Sequence, residues 1–161
     1  MLSIILVTLF NLTVQAEDGC VRAYPKPFVN TDSERVTNYS VTKKDKRNIE
    51  ENFILDKTKH INIKQFGCAH FGIEYSVMIN EHSNNPKPIL KNALAFIEGL
   101  KGVTFFQLRG AEKAIKQSIR NNTWKPGEPI TITEGYEWVV VNTSQDKTGK
   151  FLLKIVVDIA L

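Results

Sequence analysis

Residues 71–79 read FGIEYSVMI, and this stretch decides the fold class of the 161-residue chain. Apolar side chains occupy every second position, at Phe71, Ile73, Tyr75, Val77 and Ile79. Successive side chains of a β-strand point to opposite faces, so this alternation predicts a strand whose apolar face lies in the core. The opposite face then carries Cys68, His70, Gly72, Glu74 and Ser76.

Two further strand signals precede this stretch. Residues 53–55 are apolar and are followed by a polar turn at 56–59, and residues 60–66 alternate with Ile61 and Ile63 on one side. Gly67 then interrupts the run and marks a bulge or a corner. Residues 29–51 are polar and rich in charge, so we predict a solvated loop there, with no more than a short strand near residues 36–41.

Helical periodicity follows the strand at 71–79. One buried stripe is formed by Ile89, Ala93, Phe96, Ile97 and Leu100, and a second amphipathic helix is predicted between Gly110 and Asn121. Residues 130–142 and 150–161 then predict a long hairpin. The chain is therefore predicted to be α+β, an antiparallel sheet of about five strands with two helices packed on one face, in the order β-β-β-α-α-β-β.

The chain begins with a leader-like segment. Residues 1–16 read MLSIILVTLFNLTVQA and are followed at once by acidic residues, which predicts a signal peptide cleaved after Ala16. A transmembrane helix needs about 20 apolar residues, and this run is shorter, so we expect no transmembrane anchor. The alternative is a buried N-terminal strand or helix. Residues 17–161 are then a single α+β domain with an N-terminal arm at 17–51, and the protein is periplasmic or secreted.

The chain contains two cysteines, and the predicted export determines their expected chemistry. Exported chains meet oxidants, so we predict a disulfide between Cys20 and Cys68, which stabilises by about 4 kcal/mol in the chain-entropy model. With Cys68 on the outer face of its strand, the N-terminal arm would cross that face above Gly72. Two alternatives remain open: lipidation of Cys20, and Cys68 as a nucleophile with His70 as its base.

Few residues are candidates for a functional site. Trp124 and Lys125 lie in a predicted loop, and His70 and Glu74 share a strand face, so these four residues form the predicted interaction surface. Phosphate-binding glycine loops, zinc and EF-hand spacings and the Gly-x-Ser-x-Gly elbow are absent from the sequence. We therefore assign no catalytic residue, metal or cofactor.

The charge balance is mild. Lys and Arg number 21 against 17 Asp and Glu, a net charge of +4, which is too small and too dispersed to predict nucleic-acid binding. We expect the partner to be a protein in the cell envelope or the extracellular space. Asn38, Asn121 and Asn142 match the N-glycosylation pattern, which matters only in a eukaryotic source.

These observations favour an exported, non-catalytic protein-binding protein, such as a periplasmic inhibitor, an immunity protein or an envelope accessory factor. One alternative is a small secreted hydrolase that uses His70. Another is a protein that binds an apolar small ligand between the helices and the sheet.

Overall fold

The computed structural model describes residues 25–68, 70–79, 83, 85–105, 108–134, 137–145 and 150–160. The predicted signal peptide at residues 1–16 and Cys20 lie outside the described residues. In chain order the elements are β1 (Val36–Lys43), β2 (Ile49–Leu55), β3 (Lys59–Gly67), β4 (His70–Ile79), α1 (Pro86–Gly99), α2 (Arg109–Asn121), β5 (Ile130–Thr133), β6 (Glu137–Gln145) and β7 (Phe151–Ala160).

These seven strands form one antiparallel sheet in the order β1-β2-β3-β4-β7-β6-β5. β4 lies at the centre and pairs with β7 along its whole length, from His70 opposite Ala160 to Ile79 opposite Phe151. Both helices lie in the connection between β4 and β5. The sheet is therefore two meanders that meet at β4 and β7, with the helical layer inserted between them along the chain.

The predicted fold class is wrong, because the structure is mostly sheet and has seven strands in the order β-β-β-β-α-α-β-β-β. β1 (Val36–Lys43) occupies a segment predicted to be a solvated loop with no more than a short strand near residues 36–41. Its side chains are mostly exposed and show no apolar alternation, so only its main-chain pairing with β2 makes it a strand. The predicted arm at 130–142 is two strands, since Thr133 pairs with Glu137 and the chain reverses between them.

The core lies between the helices and one face of the sheet, which we call the inner face. Ile73 and Tyr75 of β4 are fully buried, as the alternation predicts. Each helix contributes one apolar stripe, and burying each large side chain contributes about 1.5–3 kcal/mol. The buried helical residues are Ile89, Leu90, Ala93, Phe96 and Ile97 from α1, and Ala111, Ala114 and Ile115 from α2.

The N-terminal arm also lies on the inner face. α1 contacts β6 and β7, and α2 contacts β5, whereas residues 25–30 of the arm lie over β2 and β3. Val29 is 4% exposed and pairs with Thr104 in an isolated antiparallel bridge. The arm and the helix connection at 103–105 therefore complete the covering of the core.

The prediction that the arm crosses the outer face is wrong for residues 25–30. Gly67 has a φ of 94°, a left-handed conformation that breaks the pleat just before Cys68. Gly67 pairs with Phe71 and β4 begins at His70, so Cys68 lies in the turn between β3 and β4 and the alternation of β4 does not extend back to it. Phe66 covers Gly72 instead, and a Cβ atom at position 72 would lie 2.3 Å from the Cε2 atom of Phe66.

Cys68 is disulfide-bonded. Its predicted partner, Cys20, lies outside the described residues, so this pairing stays a prediction.

Candidate functional site

The face of the sheet opposite the helices, which we call the outer face, is covered neither by α1 or α2 nor by residues 25–30 of the arm. Strand register arranges its residues in rows that run across the strands. The aromatic row contains Phe66, Gly72, Asp158 and Trp138. The next row is the charged row, Glu50, Lys64, Glu74, Val156 and Val140, and beyond it lies an amide row, Asn52, Asn62, Ser76, Lys154 and Asn142.

The aromatic row is partly apolar and partly exposed. The Phe66 ring is 36% exposed and lies across Gly72, and Trp138 is half-buried at the other end of the row. Between them, the Oδ1 atom of Asp158 is buried and has no hydrogen-bond partner among the described residues. Partly exposed aromatic side chains are typical anchors of protein interfaces.

Lysines and glutamates form ion pairs within the charged row and next to it. The Oε1 atom of Glu74 lies 3.6 Å from Nζ of Lys64 and 3.5 Å from Nζ of Lys154, and Oε2 of Glu50 lies 2.6 Å from Nζ of Lys44. The bond to Lys44 lowers the pKa of Glu50. The side chains of Lys44, Lys64 and Lys154 are 58%, 42% and 34% exposed. Those of Glu50 and Glu74 are only 19% and 18% exposed. The ammonium groups therefore form the outermost layer of this surface.

The two edges of the sheet are poorly suited to pairing with another strand. The β1–β2 pairing shifts between Thr37 and Ser40, where Asn38 has a φ of 52°. β5 has four residues and its own register shift. Bulges and short edge strands discourage edge-to-edge association, so the outer face is the better docking surface of the sheet.

The four residues of the predicted interaction surface do not form one surface. Strand register places Glu74 on the outer face, and the His70 side chain is not among those described. Trp124 is 7% exposed and donates its indole N–H to the Glu128 carbonyl at 2.8 Å, so its prediction as an exposed contact is wrong. Lys125 is exposed, with its Nζ atom 3.7 Å from the Glu128 carboxylate, and it lies in the same α2–β5 connection.

The alternative of a hydrolase that uses His70 stays a prediction, because the His70 side chain is not among those described. Cys68 is disulfide-bonded and so cannot supply a thiolate. Ser76 lies six residues from His70 in β4, which is about 20 Å along a strand. Within the described ranges, no group of three or more His, Cys, Asp and Glu residues is arranged to hold a metal ion.

A buried carboxylate lies on the inner face. Glu51 is 0% exposed and accepts hydrogen bonds from the backbone N–H groups of Phe28 and Val29 and from the Tyr39 hydroxyl, at 2.9–3.0 Å. Burial and the Glu51 charge raise the pKa of Tyr39 to about 12. Within the described ranges the buried hydroxyl of Tyr75 has no hydrogen-bond partner. Burial, followed by the Glu51 charge, raises the pKa of Tyr75 as well.

The sequence interpretation missed Glu51 because it assigned residues 29–51 to a solvated loop. A signal was present, since Ile49, Phe53 and Leu55 alternate with it and all lie on the inner face. Gln65 carried the same signal after Ile63: it is 1% exposed, and its amide donates to the Lys26 carbonyl at 2.7 Å.

A groove of about 940 Å³ opens at one end of the core, between α1 and the ends of β3, β4 and β7. We call it the end groove. Its apolar walls include Ala95, Phe96 and Phe151, and Lys59 and Lys150 lie at its rim. The carboxylate of Asp56, next to this rim, binds Arg35 through two hydrogen bonds of 2.8 and 2.9 Å.

Comparison with known proteins assigns no family. No family model matches the chain, and no curated protein or solved structure matches it either. Over the part of the chain that the structure describes, no helix is long and apolar enough to cross a membrane. The function must therefore be inferred from the geometry of the surfaces described above.

Proposed function

We propose that the chain is an exported, non-catalytic protein-binding protein and that its interface is the outer face of the sheet. The observation that supports this proposal is the layered charge of the outer face, where exposed ammonium groups lie above carboxylates that they already neutralise. The partner is a protein with an acidic surface, because a carboxylate of the partner that approaches the outer face contacts the exposed lysine ammonium groups before the less exposed glutamates. The net charge of +4 favours association with such a partner.

The size of the face fits this role. Six neighbouring strands of the sheet, β1-β2-β3-β4-β7-β6, make a face about 29 Å wide at about 4.8 Å per strand. A strand length of eight residues makes the face about 26 Å long. The product is about 750 Å², close to the roughly 800 Å² that each partner of a stable complex buries. The outer face can therefore supply a complete interface without help from the helices.

The experiment compares two charge-matched variants. Lys64→Gln with Lys154→Gln removes two charges from the outer face, and Lys91→Gln with Lys113→Gln removes two from the exposed sides of the helices. Wild-type protein and both variants are used to capture partners from a native envelope extract, with lysine cross-linking and mass spectrometry. We expect an acidic protein to be captured in stoichiometric amount, to cross-link to Lys64 or Lys154, and to be retained by the helix variant.

The outer-face variant should capture that protein about tenfold less, the equivalent of about 1.4 kcal/mol. Equal capture by both variants, loss caused by the helix variant, or the absence of any stoichiometric partner of the wild type would each reject the proposal. Urea unfolding of both variants checks that the sheet is intact.

The end groove supports a second candidate function, the binding of an amphipathic anion with an alkyl chain. Its volume of about 940 Å³ is at the upper end of the roughly 300–1,000 Å³ of small-molecule sites. Apolar walls beneath a lysine rim suit an alkyl carboxylate, because the chain is buried while the charge meets ammonium groups.

Calorimetry with dodecanoate, dodecanol and dodecyltrimethylammonium tests this candidate. We expect binding of dodecanoate only, its loss in Ala95→Trp, which fills the groove, and its retention in Lys113→Trp on α2. Equal binding of all three amphiphiles, or dodecanoate binding that survives Ala95→Trp, would exclude the groove as a specific site.

A further inference from the structure

One carboxylate of the outer face differs from Glu50 and Glu74 in having no lysine bound to it. The Oδ1 atom of Asp158 is buried and has no hydrogen-bond partner among the described residues. None of the ion pairs within the described ranges includes Asp158. A buried polar atom without a hydrogen bond costs free energy. Asp158 is therefore an acceptor that would gain from a donor brought by another molecule.

Two aromatic side chains flank this carboxylate. Trp138 pairs directly with Asp158 across β6 and β7, and directly opposed side chains have Cβ atoms about 4.5–5.5 Å apart. On the other side, Gly72 is the direct partner of Asp158 in β4, and the Phe66 ring lies over that glycine. Neighbouring strands are about 4.8 Å apart, so the Phe66 ring reaches the position next to Asp158.

This combination of groups selects a positively charged ligand. The face of an aromatic ring attracts a cation that lies within about 6 Å of the ring centre, and a cation bound to Asp158 is that close to Trp138. Asp158 as a whole is half-buried, so the ligand approaches from the surface, between the two rings. A guanidinium suits this approach better than an ammonium, because it is flat, carries several N–H donors and stacks on aromatic rings.

We propose that Asp158, Trp138 and Phe66 form a binding site for an arginine side chain of the partner protein. The identity of the partner as a protein rests on the proposed function, since the site lies within the proposed interface. The nearby lysines of this face do not occupy the site, because Lys64 and Lys154 lie 3.6 and 3.5 Å from the Glu74 carboxylate.

The spacing of the rows defines the surface of the partner further. Lys64 lies two residues from Phe66 along β3, and Lys154 lies four residues from Asp158 along β7. These separations are about 7 and 13 Å along a strand. The partner therefore carries an arginine about 7–13 Å from the acidic groups that contact the two lysines.

Titration of the isotope-labelled protein with N-acetylarginine amide tests the site, with the NMR signal of the Trp138 indole N–H group as the readout. The lysine analogue and the uncharged citrulline analogue are compared at the same ionic strength, because salt screens exposed charges. We expect a saturable shift of the Trp138 signal with the arginine probe, weaker binding of the lysine probe, and no saturable shift with the citrulline probe.

Three variants locate the binding. Asp158→Asn should weaken arginine binding about tenfold or more, because a hydrogen bond to a charged group is lost. Phe66→Leu keeps the carboxylate and removes one ring, so it should weaken binding about two- to fivefold. Glu98→Gln removes the same charge as Asp158→Asn from an exposed position on α1, on the opposite side of the sheet, and should bind like the wild type.

Equal binding of the arginine and citrulline probes, lysine binding as tight as arginine binding, or arginine binding that survives Asp158→Asn would each overturn the proposal. If Asp158→Asn disturbs the sheet, Phe66→Leu takes its place, and arginine binding of wild-type strength in that variant would overturn the proposal too. The probe needs no partner, so the two proposals can fail separately. A wild type that captures an acidic protein but does not bind arginine rejects the site alone, whereas arginine binding without a captured partner supports the site and rejects the proposed function.

Discussion

Replacing Gly72 with Ala gives a sharp test of the packing on the outer face. An added Cβ atom would lie 2.3 Å from Cε2 and 2.4 Å from Cζ of Phe66, well inside contact distance. Gly72 pairs regularly with both neighbouring strands, so an alanine suits the backbone and the clash with the ring is the obstacle. The Phe66 ring must therefore swing away from the sheet.

The size of the effect follows from the burial of that ring. Phe66 is 36% exposed, so about 130 Å² of a side chain of roughly 200 Å² is covered, which is about 3 kcal/mol at 25 cal/mol per Å². Alanine gains about 0.5–1 kcal/mol over glycine within a strand. A ring that is displaced only in part leaves a net destabilisation of about 1–2 kcal/mol.

Urea unfolding of a double-mutant cycle measures this coupling. In the wild-type background Gly72→Ala should lower the free energy of unfolding, but in a Phe66→Ala background the same change should raise it by about 0.5–1 kcal/mol. The sign of the effect should therefore reverse. A Gly72→Ala effect of the same sign and size in both backgrounds would show that the ring does not lie over Gly72.

Three further predictions concern other parts of the molecule. Because the pKa of Tyr39 is raised to about 12, the folded state keeps a proton that the unfolded state loses above pH 10; stability should fall between pH 10 and 12 by at most about 1.4 kcal/mol per pH unit, and chemical unfolding of Tyr39→Phe should show a shallower fall. Gly110→Ala would place a Cβ atom 2.6 Å from Cγ2 of Ile132 and should destabilise by about 1–3 kcal/mol, whereas Gly99→Ala meets nothing within 4 Å and should stabilise by a few tenths to about 1 kcal/mol; equal melting temperatures would contradict this contrast. Trp124→Phe removes an indole hydrogen bond of 2.8 Å and should cost about 1–2 kcal/mol in urea unfolding, and an unchanged midpoint would show that this bond contributes nothing.

Helical and strand periodicity predicted several elements because the spacing of apolar residues is a local signal. The alternation from Phe71 to Ile79 and the stripe from Ile89 to Leu100 both correspond to elements of the structure. β1 was predicted only as a short strand near residues 36–41 within a loop, because an edge strand with mostly exposed side chains has no such pattern. The turn between β5 and β6 was not predicted. A run rich in β-branched residues indicates strand structure but does not show whether the chain continues straight or turns back within it.

The candidate surfaces were less predictable than the elements that carry them. Glu74 was assigned to the outer face from alternation alone, but its neighbours Lys64 and Lys154 come from two other strands. Trp124 was expected to be exposed because it lies between polar residues, and it is buried because the α2–β5 connection folds back on the core. Exposure depends on what packs above a side chain, which its sequence neighbours do not specify.

The sequence by itself determined the position of the central strand and which of its side chains face the core, because a period of two residues is fixed by strand geometry. It also predicted the positions of both helices and an interruption of the strand at Gly67. Only the tertiary structure decided which face the N-terminal arm covers and that Glu51 lies beneath it. Those outcomes rest on hydrogen bonds between residues more than twenty positions apart and on the left-handed turn at Gly67, and no local pattern of residues encodes where such distant segments meet.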